Sequence, residues 1–164
     1  MAGIIVGIHG LRCEAMNNVT IKMPTIQARG NWLTGDINKA IGAAATDVTT
    51  HLKINWTQGR GGDEVNMKPL SNKPRNGQPG YADQKKASGR NPIPDLLWSG
   101  ELHKSMLAGI RRPNKFTATI GFSGAGGLEK ARSNYALRPN MMELSDKFKN
   151  QVIKNVYNDM RSSK

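Results

Sequence analysis

Cysteine is almost missing from this chain: Cys13 is the single one among 164 residues. That excludes an internal disulfide framework and any cysteine-based zinc site. Histidine is scarce as well. His9, His51 and His103 stand in no HExxH or other ligating spacing, so the pattern marks no metal centre and no cofactor site. Aromatic residues make up 5%, too few for a platform on which successive bases stack. No run approaches the roughly 20 apolar residues of a membrane helix. The opening ten residues, Met1 to Gly10, lack a basic region and a long enough apolar run for a signal peptide. These absences point to one modest domain (residues 1–164), made in a reducing compartment, with no membrane partner.

What the chain has in excess is positive charge. Twenty-four Lys+Arg face 12 Asp+Glu, a formal net charge of +12. The surplus is +2 in residues 1–56, +4 in 57–94 and +6 in 95–164, so it is spread rather than gathered in a tail. Spread cationic charge favours proximity to a polyanion or an acidic protein surface, and equally serves solubility.

Periodicity sketches the elements. Ile4 to Ile8 is a short β-branched run, and Val19, Ile21 and Met23 alternate with polar residues until Pro24. Thr34 supplies a helix N-cap and Asp36 a first-turn charge. Ile37, Ile41, Ala44, Ala45, Val48, Leu52 and Trp56 then form one stripe. Residues 57–94 carry glycine and proline throughout, with few apolar groups to offset the entropy of ordering. They read as a flexible basic loop or arm. After it, Leu96, Leu97, Leu102 and Met106 suggest a short helix, and Met106, Ala108 and Ile110 a strand. Arg112 to Lys115 reads as a turn, and Phe116, Ala118, Ile120 and Phe122 as the apolar face of a second strand. Ser123 to Gly127 breaks the pattern. Ser145 caps a last helix bearing Phe148, Val152, Val156 and Met160. The expected fold is α+β: a small antiparallel sheet packed by a long helix in the N-terminal half and a C-terminal helix, with a long extended loop.

Chemistry is hard to find in this pattern. His51 borders the apolar stripe, which suits a partly buried structural role. Glu101 and His103 at i, i+2 on a helix do not face each other. Cys13 lies between Arg12 and Glu14 with no activating signature. Ser99-Gly100 is not a nucleophile elbow, and Gly121 to Gly127 has neither the phosphate-loop lysine nor a dinucleotide-binding register. No convergent acid, base and nucleophile emerges, so the chain is not read as an enzyme. Lys85-Lys86 and Arg111-Arg112 could meet phosphates without sequence selectivity. A small basic nucleic-acid-binding protein is the alternative reading.

One stretch adds something the composition does not. Leu97, Ser99, Gly100, Leu102 and Ser105 follow an L-x-x-[ST]-G-x-L-x-x-S pattern, with the leucine one place closer to the serine. The strand Phe116 to Phe122 comes next, then Tyr135-Ala136, Arg138-Pro139 and the run Met142, Leu144, Ser145 into the last helix. In this order of short motifs the chain resembles tail-completion and virion-morphogenesis proteins of tailed bacteriophages. The resemblance implies a non-catalytic structural protein of the virion, synthesised in the host cytoplasm. It would be a subunit of a six-fold homo-oligomeric ring in the head–tail connector, the neck or the proximal tail end. Other neck, connector or tail-tube proteins would be its partners, and DNA would pass nearby. It also implies that Trp98, Leu102, Phe116, Ile120 and Phe122 are core and that Arg138-Pro139 sets the start of the last helix. Residues 57–94 would be an intersubunit arm presenting Arg60, Lys68, Lys73, Arg75, Tyr81, Lys85, Lys86 and Arg90.

Overall fold

The computed structural model describes residues 19–22, 34–96, 100–108, 111–114 and 117–162. In chain order these form β1 (Val19–Lys22), α1 (Thr34–Thr57), α2 (Tyr81–Ala87), α3 (Glu101–Ala108), β2 (Arg111–Asn114) and β3 (Thr117–Ile120). They are followed by α4 (Ala125–Leu137), a 3-10 turn (Pro139–Met142) and α5 (Asp146–Ser162). Helix dominates. The strands are four residues each and pair antiparallel in the order β1-β3-β2, with Val19 opposite Ile120 and Arg111 opposite Thr119. The expected sheet with flanking helices is thus a helix-rich chain around short strands.

α1 is the hub, with α5, β3, β1, α3 and the 3-10 turn all packed on it. Its stripe does what the spacing requires: Ile37, Ile41, Ala44, Ala45, Val48, Leu52 and Trp56 are all buried. Across from them lie Ala118, Ile120 and Phe122 of the β3 region and Val152, Val156 and Met160 of α5. α1 ends in a Schellman motif, the Arg60 amide bonding the Asn55 carbonyl at 2.9 Å and the Gly59 amide the Trp56 carbonyl at 3.0 Å. Gly59 takes φ +73° there, which a side chain would resist. α5 starts as its sequence says, with the Phe148 amide donating to Ser145 Oγ at 3.2 Å.

Four expectations are corrected. Residues 57–94 are not structureless: they hold α2, two isolated antiparallel bridges (Arg60 with Asn66, Arg75 with Gln78) and buried Met67, Ala82 and Lys85. Met106 and Ala108 belong to helix α3, because Met106 is buried on the same face as Leu102, four residues back. The strand before the hairpin instead falls on Arg111–Asn114, three residues of which were read as a turn. Ser123 to Gly127, expected only to break the strand pattern, instead runs into a helix: Ala125–Leu137 form α4. Ile4 to Ile8, His9, Cys13, Met23, Leu97, Trp98, Ser99, Ile110, Lys115 and Phe116 lie outside the described residues.

Candidate functional site

The glycine-rich stretch after α1 is built into the body by close approach rather than left free. The Gly62 amide donates to the Asn140 carbonyl at 3.1 Å, and a Cβ at Gly62 would overlap the Glu143 carbonyl and press on Leu52. Asn140 Nδ2 reaches Asp63 Oδ1 at 3.1 Å, and Trp56 Nε1 donates to the Met141 carbonyl at 2.8 Å. Residues 59–67 therefore clasp the 3-10 turn. His51 sits beside this clasp. Its ring stacks on Phe148 with centroids 3.6 Å apart, and its Nε2 lies 2.9 Å from the Gly62 carbonyl. That is the structural role its place beside the stripe suggests.

Further on, residues 71–79 are exposed and α2 is held by its own flanking segments, the Ala82 amide donating to the Ser71 carbonyl at 3.1 Å. Lys85 explains why so polar a helix docks. Its side chain is 1% exposed, and Nζ donates to Asp95 Oδ1 at 2.6 Å and to the Ile93 carbonyl at 2.7 Å. The four-carbon stem serves as α2's apolar anchor while the ammonium is fully engaged. α2 closes with a second Schellman motif, the Arg90 amide bonding the Lys85 carbonyl at 2.9 Å.

Between this segment and α3–α4 opens a cavity of about 750 Å³. Its apolar walls include Leu70, Leu96 and Leu102, with Tyr81 and Leu137 at 41% and 54% exposure. The charged side chains lining it are Lys73, Arg75, Lys85, Lys130 and Arg138 against one carboxylate, Asp95. Lys130 also pairs with Glu101. Arg138 is 7% exposed. Its Nη1 donates to Asn134 Oδ1 at 3.2 Å, while its Nε has no hydrogen-bond partner. Burial pulls the Arg138 pKa below the ordinary arginine value, with Tyr81 acting the other way. The Tyr81 hydroxyl is pushed up, first by desolvation and then by Asp95, with Arg138 and Arg90 opposing.

The sequence-derived residues divide by this geometry. Lys73, Arg75, Tyr81 and Lys85 come together with Leu102 and Arg138 around the cavity. Arg60, Lys68, Lys86 and Arg90 are exposed and do not line it. Of the family-like motif, Gly100 takes φ +69° before α3, Leu102 is buried, Tyr135 is half-buried and Pro139 opens the 3-10 turn. Ser105 is a structural clamp. Its Oγ donates to the Ser123 carbonyl at 2.5 Å and accepts the Ser123 amide at 3.0 Å. Gly127 of α4 packs so closely on Ser105 that a Cβ would fall on its hydroxyl. Sequence reasoning missed Asp95, Asn134 and Lys130, and the only signal for them was the surplus of cations around them. Among the described residues no group of three His, Cys, Asp or Glu side chains is placed to hold a metal ion, and no helix is long and apolar enough to cross a membrane.

No family model matches the sequence, and no curated protein or solved structure matches it either.

Proposed function

We propose that the chain is a structural subunit of a tailed-bacteriophage virion, a ring component of the head–tail connector, neck or proximal tail. The short sheet with its long helix is then the α+β arrangement of that family. One observation carries the reading. Described residues behind the resemblance are used to build the fold: Leu102 is buried, Ser105 ties α3 to the segment after β3, and buried Arg138 precedes the 3-10 turn. A motif taken up by such joints is expected of a protein whose product is a shape. The intersubunit arm narrows to the exposed stretch 71–79, which carries Lys73 and Arg75.

The competing reading, a basic nucleic-acid binder, is favoured by exposed Arg60, Lys68, Lys86 and Arg90. Salt separates the two. Copies of a +12 chain repel one another, so ring formation strengthens as salt screens the repulsion. Binding to DNA or RNA weakens steeply as salt rises, because counterions are released. Mass photometry of the full chain across a salt series, with negative-stain images of any oligomer, is the test on one side. Anisotropy of labelled duplex and single strands is the test on the other. Closed rings that grow with salt support the virion subunit. A chain that stays monomeric throughout and binds nucleic acid with a steep negative salt slope overturns it.

A further inference from the structure

The cavity between residues 70–96 and α3–α4 has a feature the virion reading does not use. Arginine side chains are almost never fully buried unless paired, because taking a guanidinium out of water is costly without an anion beside it. Arg138 is buried to 7% exposure, yet among the described residues it makes no ion pair. Its one neutral side-chain acceptor is Asn134 Oδ1, and Nε is left over. The carboxylate sharing the cavity, Asp95, is already bound to the Lys85 ammonium at 2.6 Å. Lys130 of the lining is likewise bound, to Glu101. Of the five cations in the lining, Lys85 and Lys130 are thus paired, which leaves Lys73, Arg75 and Arg138 as the surplus beside leucine walls. At about 750 Å³ the space lies within the roughly 300–1,000 Å³ of small-ligand sites.

We propose that this cavity is a binding site for a small organic anion, its carboxylate or phosphate meeting Arg138 and its apolar body lying against Leu70, Leu96 and Leu102. The guanidinium fork suits either oxyanion, since two parallel N–H groups match two oxygens. Lys73 and Arg75 on the exposed side of the cavity add a field that draws an anion inward. The apolar body gives selectivity over inorganic ions, which would bury no leucine surface. Arg138 and the leucine walls lie outside the stretch 71–79 that the ring reading uses as an arm, so binding at them does not depend on ring formation.

The test uses the full chain and four probes: octanoate, phenyl phosphate, acetate and neutral 1-octanol. Binding is followed by ¹H–¹⁵N spectra of arginine Nε–H groups, assigned by comparison with Arg138→Lys. Octanoate or phenyl phosphate is expected to shift the Arg138 Nε–H signal and saturate, with acetate and 1-octanol at least about tenfold weaker. Arg138→Lys, if folded, should bind octanoate about tenfold less tightly, because lysine has no fork. If that variant does not fold, the wild-type ligand series with Lys73→Gln/Arg75→Gln carries the test. That double variant sits in the exposed segment and should keep the Nε–H shift while binding more weakly. The proposal is overturned if neither octanoate nor phenyl phosphate shifts an arginine Nε–H at millimolar concentration. It is equally overturned if 1-octanol binds as tightly as octanoate, or if a folded Arg138→Lys binds octanoate unchanged.

Discussion

Asp95→Asn is the substitution that most directly probes how residues 71–96 are held. Lys85 is 1% exposed, whereas the Asp95 side chain keeps 22% of its surface in water. At 2.6 Å and an effective dielectric near 20, the pair attracts by about 6 kcal/mol before desolvation is charged against it. Breaking a buried pair by removing one partner costs about 3–5 kcal/mol, since the surviving charge is stranded. Here the Ile93 carbonyl at 2.7 Å still accepts from Nζ, and Asp95 is partly solvated. A loss of about 2–4 kcal/mol is therefore expected for Asp95→Asn, or a fall in melting temperature of about 5–15 °C for a chain of this length. Lys85→Met should cost less, about 1–2 kcal/mol: the stem's packing survives and the remaining charge is the one that reaches water. Urea unfolding gives both values, and hydrogen exchange across residues 81–90 shows whether α2 opens first. The reasoning fails if Asp95→Asn costs under about 0.5 kcal/mol, or if Lys85→Met is the more damaging of the two.

Three further outcomes follow from local geometry. Gly127→Ala should destabilise by about 2–4 kcal/mol in urea, because its Cβ would displace the Ser105 hydroxyl from its bonds to Ser123. Gly126→Ala should stay within about 1 kcal/mol of wild type, since the new Cβ meets only Glu101 Oε1, at 3.3 Å, and alanine favours the helix. Ser145→Ala should cost about 1 kcal/mol and Ser145→Asp much less, as aspartate can still accept the Phe148 amide. His103 is the third case. Desolvation, then Lys53, holds its pKa below the ordinary imidazole value of 6.5, so just below that pH the folded chain binds less proton than the unfolded one. Stability should be full above about pH 6.5 and decline as pH falls through the window beneath it. Calorimetric melting temperatures across that range should show the decline in wild type and its loss in His103→Gln. A flat wild-type profile would refute the assignment.

Where apolar spacing carries the information, the sequence alone was enough. The α1 stripe, the buried alternation Ala118, Ile120, Phe122 and the α5 face stand where periodicity puts them, and Ser145 caps as its position implies. Helices α2 and α4 escaped for different reasons. α2, Tyr-Ala-Asp-Gln-Lys-Lys-Ala, has no stripe because its anchor is the stem of Lys85, which any hydropathy pattern scores as polar. α4 opens with Ala-Gly-Gly, and glycine inside a helix argues against it; Gly127 is there because Ser105 leaves no room for a side chain. The same ambiguity misled in residues 57–94. Glycine marks both a free linker and a close approach, and composition cannot tell a chain with nothing to pack on from one pressed against the Asn140 and Glu143 carbonyls. The candidate site was legible only in pieces. Arg138 and the 73–85 cations were singled out, but the cavity that joins them depends on how residues 70–96 fold back.

The charge arithmetic limits what any assembly of this chain can be. Twelve carboxylates cannot neutralise 24 cations, so at least twelve cations per copy must face solvent ions or another molecule, however the internal pairs are arranged. Lys85, Lys130 and Lys149 already use Asp95, Glu101 and Asp146. A ring of identical copies therefore cannot be held mainly by ion pairs between them, because each copy brings the same shortage of acid. Its cohesion would have to come from apolar surface, and among the described residues Ile54, Val65, Tyr81 and Leu137 are the large hydrophobic side chains left exposed. The cationic surplus is then free to face something else. In a virion that surface would be an acidic neighbouring component or the DNA passing through. On this account salt has opposite effects on the two contacts, tightening the one between copies and loosening the one to the anionic partner.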